Sequence, residues 1–271
     1  MSGRVGAVAT VHAPFITGRP DLAPADRARK VRAGFEALQA YVEAFDPDVI
    51  IAFSNEHITN FVPSNVPAYC VAVGVSNPLL PEFQLPDGRV PGAPDVARAL
   101  VGYAYDHGFD VGHSAELLLD HGTGLPLHFL TPRYDVPVVA VLQNVIFSPM
   151  PTTERSAQLG ELAGRFARQE LGDARVLFLG TGGISHWVGN RRHGDVNQAF
   201  DEWFLERIAA GDLTTLRGLA DADIEVAGDG AHEIRNWVAT AAAAVGLAPR
   251  VVLGETFIPG WNTSAYQVVW E

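Results

Sequence analysis

Cysteine and basic residues are scarce in this 271-residue chain. A single cysteine, Cys70, can form no intrachain disulfide, and its place inside the apolar run YCVAVGV marks a small buried hydrophobe rather than a nucleophile. Charged residues are 18% of the chain with no long run of one sign, which excludes disorder. No apolar stretch reaches the ~18 residues that a helical membrane span needs. Basic residues are few: Lys and Arg total 19 against 31 Asp and Glu, a formal net charge of −12. That sign excludes nucleic acid and an anionic membrane as partners and favours small-molecule ligands. The N-terminal MSGRVGAVATVHAP lacks a basic segment followed by a full apolar one, so it reads as a first strand, and the expected location is cytoplasmic. Internal repeats and low-complexity tracts are absent.

What is present is a core-forming composition, 48% hydrophobic, in a chain long enough for one large domain, residues 1–271. The runs VGAVATV, DVIIAFS, YCVAVGV, VPVVAVLQNV, ARVLFLG and RVVLGETF read as buried strands. Between them lie helical periods. Val31, Phe35, Leu38, Val42 and Phe45 share one face, and further helices run through DVARALVGYAYDHG, TTERSAQLGELAGRFARQEL and AHEIRNWVATAAAAV, the last with Ile234, Trp237, Val238, Ala241 and Val245 on its stripe. The alternation predicts an α/β fold, a central sheet flanked by helices on both faces. Val75 to Asp95, dense in Pro and Gly, reads as a long irregular loop of the kind that forms lids or pocket walls.

Nine histidines are present, and their placement carries the functional reading. His12, His57 and His186 fall where predicted strands end, and His121 opens a helix-like segment. The carboxyl ends of strands in α/β sheets gather at one edge, where ligand sites lie, so these residues can converge. A lone histidine at a strand end is more often structural; joint placement favours function. His107, His113, His128, His193 and His232 lack that support and read as surface or second-layer residues. The TGGISH stretch, Thr181 to His186, matches neither a Walker loop nor Gly-x-Gly-x-x-Gly with its acidic residue, and Gly-x-Ser-x-Gly is absent. Its glycines suit a tight turn and close backbone approach to a ligand. Glu233 at the start of the last helix is either a helix-start acid favoured by the macrodipole or an anionic ligand on a rigid element.

Five motifs, VHAPF, SNEHITNF, LDHGTGLPLHFL, VLFLGTGGISH and AHEIRNWVA, taken in order, resemble the class III extradiol ring-cleavage dioxygenases over about His12 to Trp237. The strings LFLGTGGISH and HEIRNWVA are similar to the dihydroxyphenylpropionate type, whereas the short WVGNRRHGDV connection after His186 resembles the protocatechuate group. The resemblance implies Fe2+ held by His12, His57 and Glu233, two neutral histidines and one carboxylate that leave three positions open for a catechol and O2. It implies His121 and His186 as acid and base, with His186 assigned base and His121 acid, or the reverse. The implied activity is meta cleavage of a catechol in aromatic compound catabolism by a homo-oligomer, with room for a small companion subunit. Phe61, Pro78, Leu79 and Trp187 are candidates for pocket walls, Arg191 and Arg192 for meeting a substrate carboxylate, and Trp261 and Tyr266 for closing the pocket or an interface. The competing readings are a divalent-metal hydrolase, since the same ligands suit zinc, and a non-catalytic metal-binding protein.

Overall fold

The structure, a computed structural model, describes residues 4–271; the first three residues of the N-terminal reading lie outside it. In chain order the strands are β1 (Arg4–Thr10), β2 (Val49–Ser54), β3 (Tyr69–Ala72), β4 (Ser76–Leu79), β5 (Gly88–Pro91), β6 (Gly112–Ser114), β7 (Val138–Gln143), β8 (Arg175–Thr181), β9 (Pro249–Ile258) and β10 (Thr263–Trp270). The helices are α1 (Phe15–Gly18), α2 (Ala25–Phe45), α3 (Pro94–Asp106), α4 (His121–Leu130), α5 (Thr153–Glu170), α6 (Gln198–Ala209), α7 (Leu213–Arg217), α8 (Asp221–Glu225) and α9 (Ile234–Ala243).

Eight strands form one sheet in the order β6-β3-β7-β2-β8-β1-β10-β9. Its centre, β7, β2, β8 and β1, is parallel, and β10 and β9 extend it antiparallel. Successive residues of the central strands face opposite layers, so each strand must be apolar throughout. Ile51, Phe53, Val141 and Phe178 pack with residues of α3, α5 and α9 on one side; Ile50, Ala52, Leu142 and Leu179 pack with α2 and α4 on the other. This is the predicted sheet covered on both faces. Among the described residues no helix is long and apolar enough to cross a membrane.

Two expectations need correction, and one strand was not anticipated. The segment SAYQVVW forms β10, paired with β1, although its buried Ser264 and Gln267 interrupt the apolar pattern. Val75–Asp95 is not wholly irregular: β4 and β5 pair as a two-stranded ribbon, where Pro78 and Pro91 are tolerated because no long ladder is broken. The α9 stripe stops short, since the helix ends at Ala243 and Val245 is exposed just before Gly246 turns the chain at φ 96°.

Candidate metal centre and active site

Parallel pairing of β1 and β2 with β8 brings their carboxyl ends to one edge of the sheet, with Thr10 opposite Thr181. The chain leaves β1 into His12, β2 into Asn55, Glu56 and His57, and β8 into Gly182 and Gly183. A buried hydroxyl set floors this edge: Thr181 and Thr123 each donate to Ser54 Oγ at 2.9 Å. Glu233 closes a short 3-10 turn, Gly230–Glu233, that leads into α9.

His12, His57 and Glu233, 221 positions apart at the extremes, each present one ligand atom within 4.8 Å of the others. Glu233 Oε1 lies 3.1 Å from His12 Nε2 and 3.4 Å from His57 Nε2. The opposite ring nitrogens are already engaged. His12 Nδ1 donates to the Gly122 carbonyl at 3.1 Å, and His57 Nδ1 meets Asp120 Oδ2 at 3.2 Å. A carbonyl or carboxylate at Nδ1 leaves the Nε2 lone pair free for a cation, the arrangement metal-binding histidines use. Glu233 is steered as well, its Oε2 accepting Gly183 N–H at 2.7 Å and its Oε1 accepting from Asn55 Nδ2 at 3.0 Å. The donor set therefore fits a divalent transition metal.

Electrostatics agree with that fit. Burial opposes charge on His57, but Asp120 and Glu233 outweigh it and push its pKa up to about 10. Burial likewise works against the Glu233 carboxylate, yet His12 and His186 hold it well below the usual range. On His57 the proton takes a place that a cation would fill. The flanking histidines behave oppositely. Burial lowers His121 to about 4, helped by the charges of His57 and His12, and burial also lowers His186.

The TGGISH turn brings His186 to the cluster. Gly182, at φ 142°, adopts backbone that a side chain resists, and a Cβ there would lie 2.7 Å from Glu233 Cβ. Its carbonyl accepts from Trp237 Nε1 at 3.0 Å, and Asn236 Nδ2 reaches the Thr181 carbonyl and Asn55 Oδ1, each at 2.9 Å. Thus the AHEIRNWVA motif clamps the turn to β2. His186 Nε2 stands 3.7 Å from Glu233 Oε2, and Gly230 leaves room for its ring, onto which a Cβ would fall. His121, first residue of α4, stacks on His57 at 4.0 Å between ring centroids, while Asp120 caps the helix by accepting Gly122 N–H at 2.9 Å.

All five singled-out residues line one pocket of about 160 Å³. Its wall is mainly apolar, with Val11, Pro14, Phe15, Trp187 and Trp261; the exposed His193 and Asn262 line its mouth, and the buried Thr263 lines it deeper. Of the other candidates Trp187 and Trp261 do line it. Phe61, Pro78 and Leu79 do not, and Leu79 belongs to the core below. Tyr266 is buried with its hydroxyl 3.4 Å from Asp201. Arg191 and Arg192 stand outside the lining; Arg192 pairs with Asp195 at 2.9 Å and lies over the Trp187 ring. His193 is exposed as expected, yet it also lines the mouth. Sequence reasoning missed the roles of Asn55, Asp120 and Asn236, although all three sit inside the quoted motifs.

Known proteins resemble this chain over most of its length. Residues 6–264 match the family model described as the catalytic LigB subunit of aromatic ring-opening dioxygenase. The chain is 32% identical to a 2,3-dihydroxyphenylpropionate/2,3-dihydroxicinnamic acid 1,2-dioxygenase of Burkholderia vietnamiensis, with 92% of each chain covered. It is 30% identical to the protein of that name from Paraburkholderia phymatum, covering 87% of this chain and 89% of the other. A crystal structure of an uncharacterized protein from Escherichia coli K12 shares the fold, with a TM-score of 0.62 at 16% identity over 98% of this chain and 99% of that one. The chain belongs to the aromatic-ring-opening dioxygenase family, a family of oxidoreductases.

Proposed function

We propose that the whole chain is one catalytic unit that opens a catechol ring outside its paired hydroxyls with O2, using Fe(II) held by His12, His57 and Glu233. The observation that carries this reading is the convergence of those three ligand atoms in a pocket flanked by two further histidines. Bound iron supplies the redox capacity that couples a catechol to O2. The protein supplies orientation and proton traffic. Asp120 and the Gly122 carbonyl fix the two ligand rings, and Asn55 and Gly183 fix the carboxylate, so the donor set is in place before substrate arrives. His121 and His186 are held neutral by burial, so each can accept a catechol proton and return it when the opened ring needs one. The apolar wall keeps water from the reacting ring.

The test is anaerobic reconstitution with Fe(II), then addition of oxygen and a panel of catechols. Yellow ring-opened products with matched oxygen uptake are expected. Iron binding without oxygen consumption would refute the activity, and oxygen-independent turnover with tightly held zinc would establish the hydrolase instead.

A further inference from the structure

The Val75–Asp95 excursion carries a carboxylate that the proposed chemistry has not used. Glu82 lies between β4 and β5, half-buried, 39 positions before His121. Its Oε1 meets that residue twice, accepting the His121 backbone N–H at 2.8 Å and lying 2.7 Å from His121 Nδ1. A carboxylate oxygen accepts, so Nδ1 carries the hydrogen and the lone pair is left on Nε2. Nε2 has no hydrogen bond to the described residues, and His121 lines the pocket.

The loop is anchored where it does this. Leu80 N–H donates to the Leu119 carbonyl and Leu119 N–H to the Pro78 carbonyl, each at 2.8 Å, and Gln84 Nε2 reaches the Gly18 carbonyl at 2.9 Å. Phe83 and Gln84 adopt φ of 47° and 64°, backbone that side-chain-bearing residues seldom take and that only surrounding contacts maintain. Phe83 sets its ring edge-on to His121 at 5.1 Å, while His57 covers a face at 4.0 Å. The imidazole is thus fixed in plane by Glu82 and out of plane by its neighbours. His186 has no such support, for its Nδ1 is buried without a partner among the described residues.

We propose that Glu82 is a positioning residue for ring opening: it locks His121 in the Nδ1–H tautomer and aims the bare Nε2 at the metal pocket. The proposal rests on the ring-opening reading above, and one arm of its test does not need turnover. Nitrogen-15 spectra of the metal-free protein should show His121 with Nδ1 protonated and Nε2 bare, whereas Glu82→Ala should give a mixture of tautomers. In turnover, Glu82→Ala should lower kcat about 10-fold or more, with KM and iron content within about twofold of wild type, the size of loss expected when a group orienting a site histidine is removed. Glu82→Gln, whose side-chain oxygen can accept the same two hydrogen bonds, should restore most of kcat. An unchanged kcat in Glu82→Ala, or the same single tautomer without Glu82, overturns the proposal. Wild-type protein that opens no catechol would sink the ring-opening reading and the catalytic use of the pair, while the spectra would still decide whether Glu82 fixes His121.

Discussion

Asp201, on α6, is fully buried, and its Oδ1 accepts the N–H of Ser185 at 2.8 Å, next to the histidine that the TGGISH turn presents. Ser264 and Tyr266 donate to its other oxygen. Burial outweighs these bonds and pushes the carboxyl from 3.8 up to about 6. An unfolded chain would ionise this group near 3.8 and the folded one near 6, so between those values the folded state holds the extra proton. Its contribution to stability is therefore present below the lower value and is lost as pH rises through the window, by on the order of 3 kcal/mol. Asp201→Asn is neutral throughout. Its unfolding free energy relative to wild type should rise by roughly that amount from pH 4 to pH 7 in denaturant titrations; parallel curves would show that Asp201 does not titrate as argued. Such a residue was invisible in the sequence, because an acid in an amphipathic helix carries no spacing signal until the β10 hydroxyls meet it. Glu82 escaped for the same reason, being a single carboxylate in a loop.

At the level of elements, strand ends were legible and their supports were not. The buried runs DVIIAFS and ARVLFLG leave little choice of secondary structure, and parallel pairing then puts His12, His57 and His186 at one edge. SAYQVVW hid its strand because the polar side chains of Ser264 and Gln267 are buried, which no periodicity anticipates. The α5–α9 contact was also out of reach, since it depends on a glycine whose meaning is set by another helix. A Cβ on Gly160 would run into the Ala239 carbonyl, with Ala239 Cα 2.9 Å away. Gly160→Ala should cost about 1–3 kcal/mol by overpacking. Because α9 follows directly from Glu233 and carries Asn236 and Trp237, the same change should lower iron content after reconstitution. Gly102, on α3, faces open space, and a Cβ there would meet nothing within 4 Å. Gly102→Ala should therefore raise stability by roughly 0.5–1 kcal/mol with iron content unchanged. Equal effects of the two substitutions on unfolding and metal loading would show that backbone contact with α9 is not what Gly160 protects.

The whole molecule bears on which aromatic substrate enters. The chain carries a net charge of −12, and among the described residues no lysine or arginine lines the pocket. Arg192, whose guanidinium lies over the Trp187 ring, pairs with Asp195 outside the lining. A carboxylate on the substrate would thus approach a negative field and enter a wall of Val11, Pro14, Phe15, Trp187 and Trp261 with the exposed His193 and Asn262 at its mouth to receive it. An unpaired charge in such surroundings costs more than one kcal/mol, and like-charge repulsion slows encounter. The methyl ester of 2,3-dihydroxyphenylpropionate should therefore be opened with a kcat/KM about 10-fold or more above that of the free acid. Added salt should narrow the gap by screening the net charge, which acts on the anion and leaves the ester untouched. Preference for the free acid, lost in His193→Ala, would show instead that the mouth histidine pairs with the carboxylate. In that case the local contact, rather than the global field, sets which ring substituent this pocket takes.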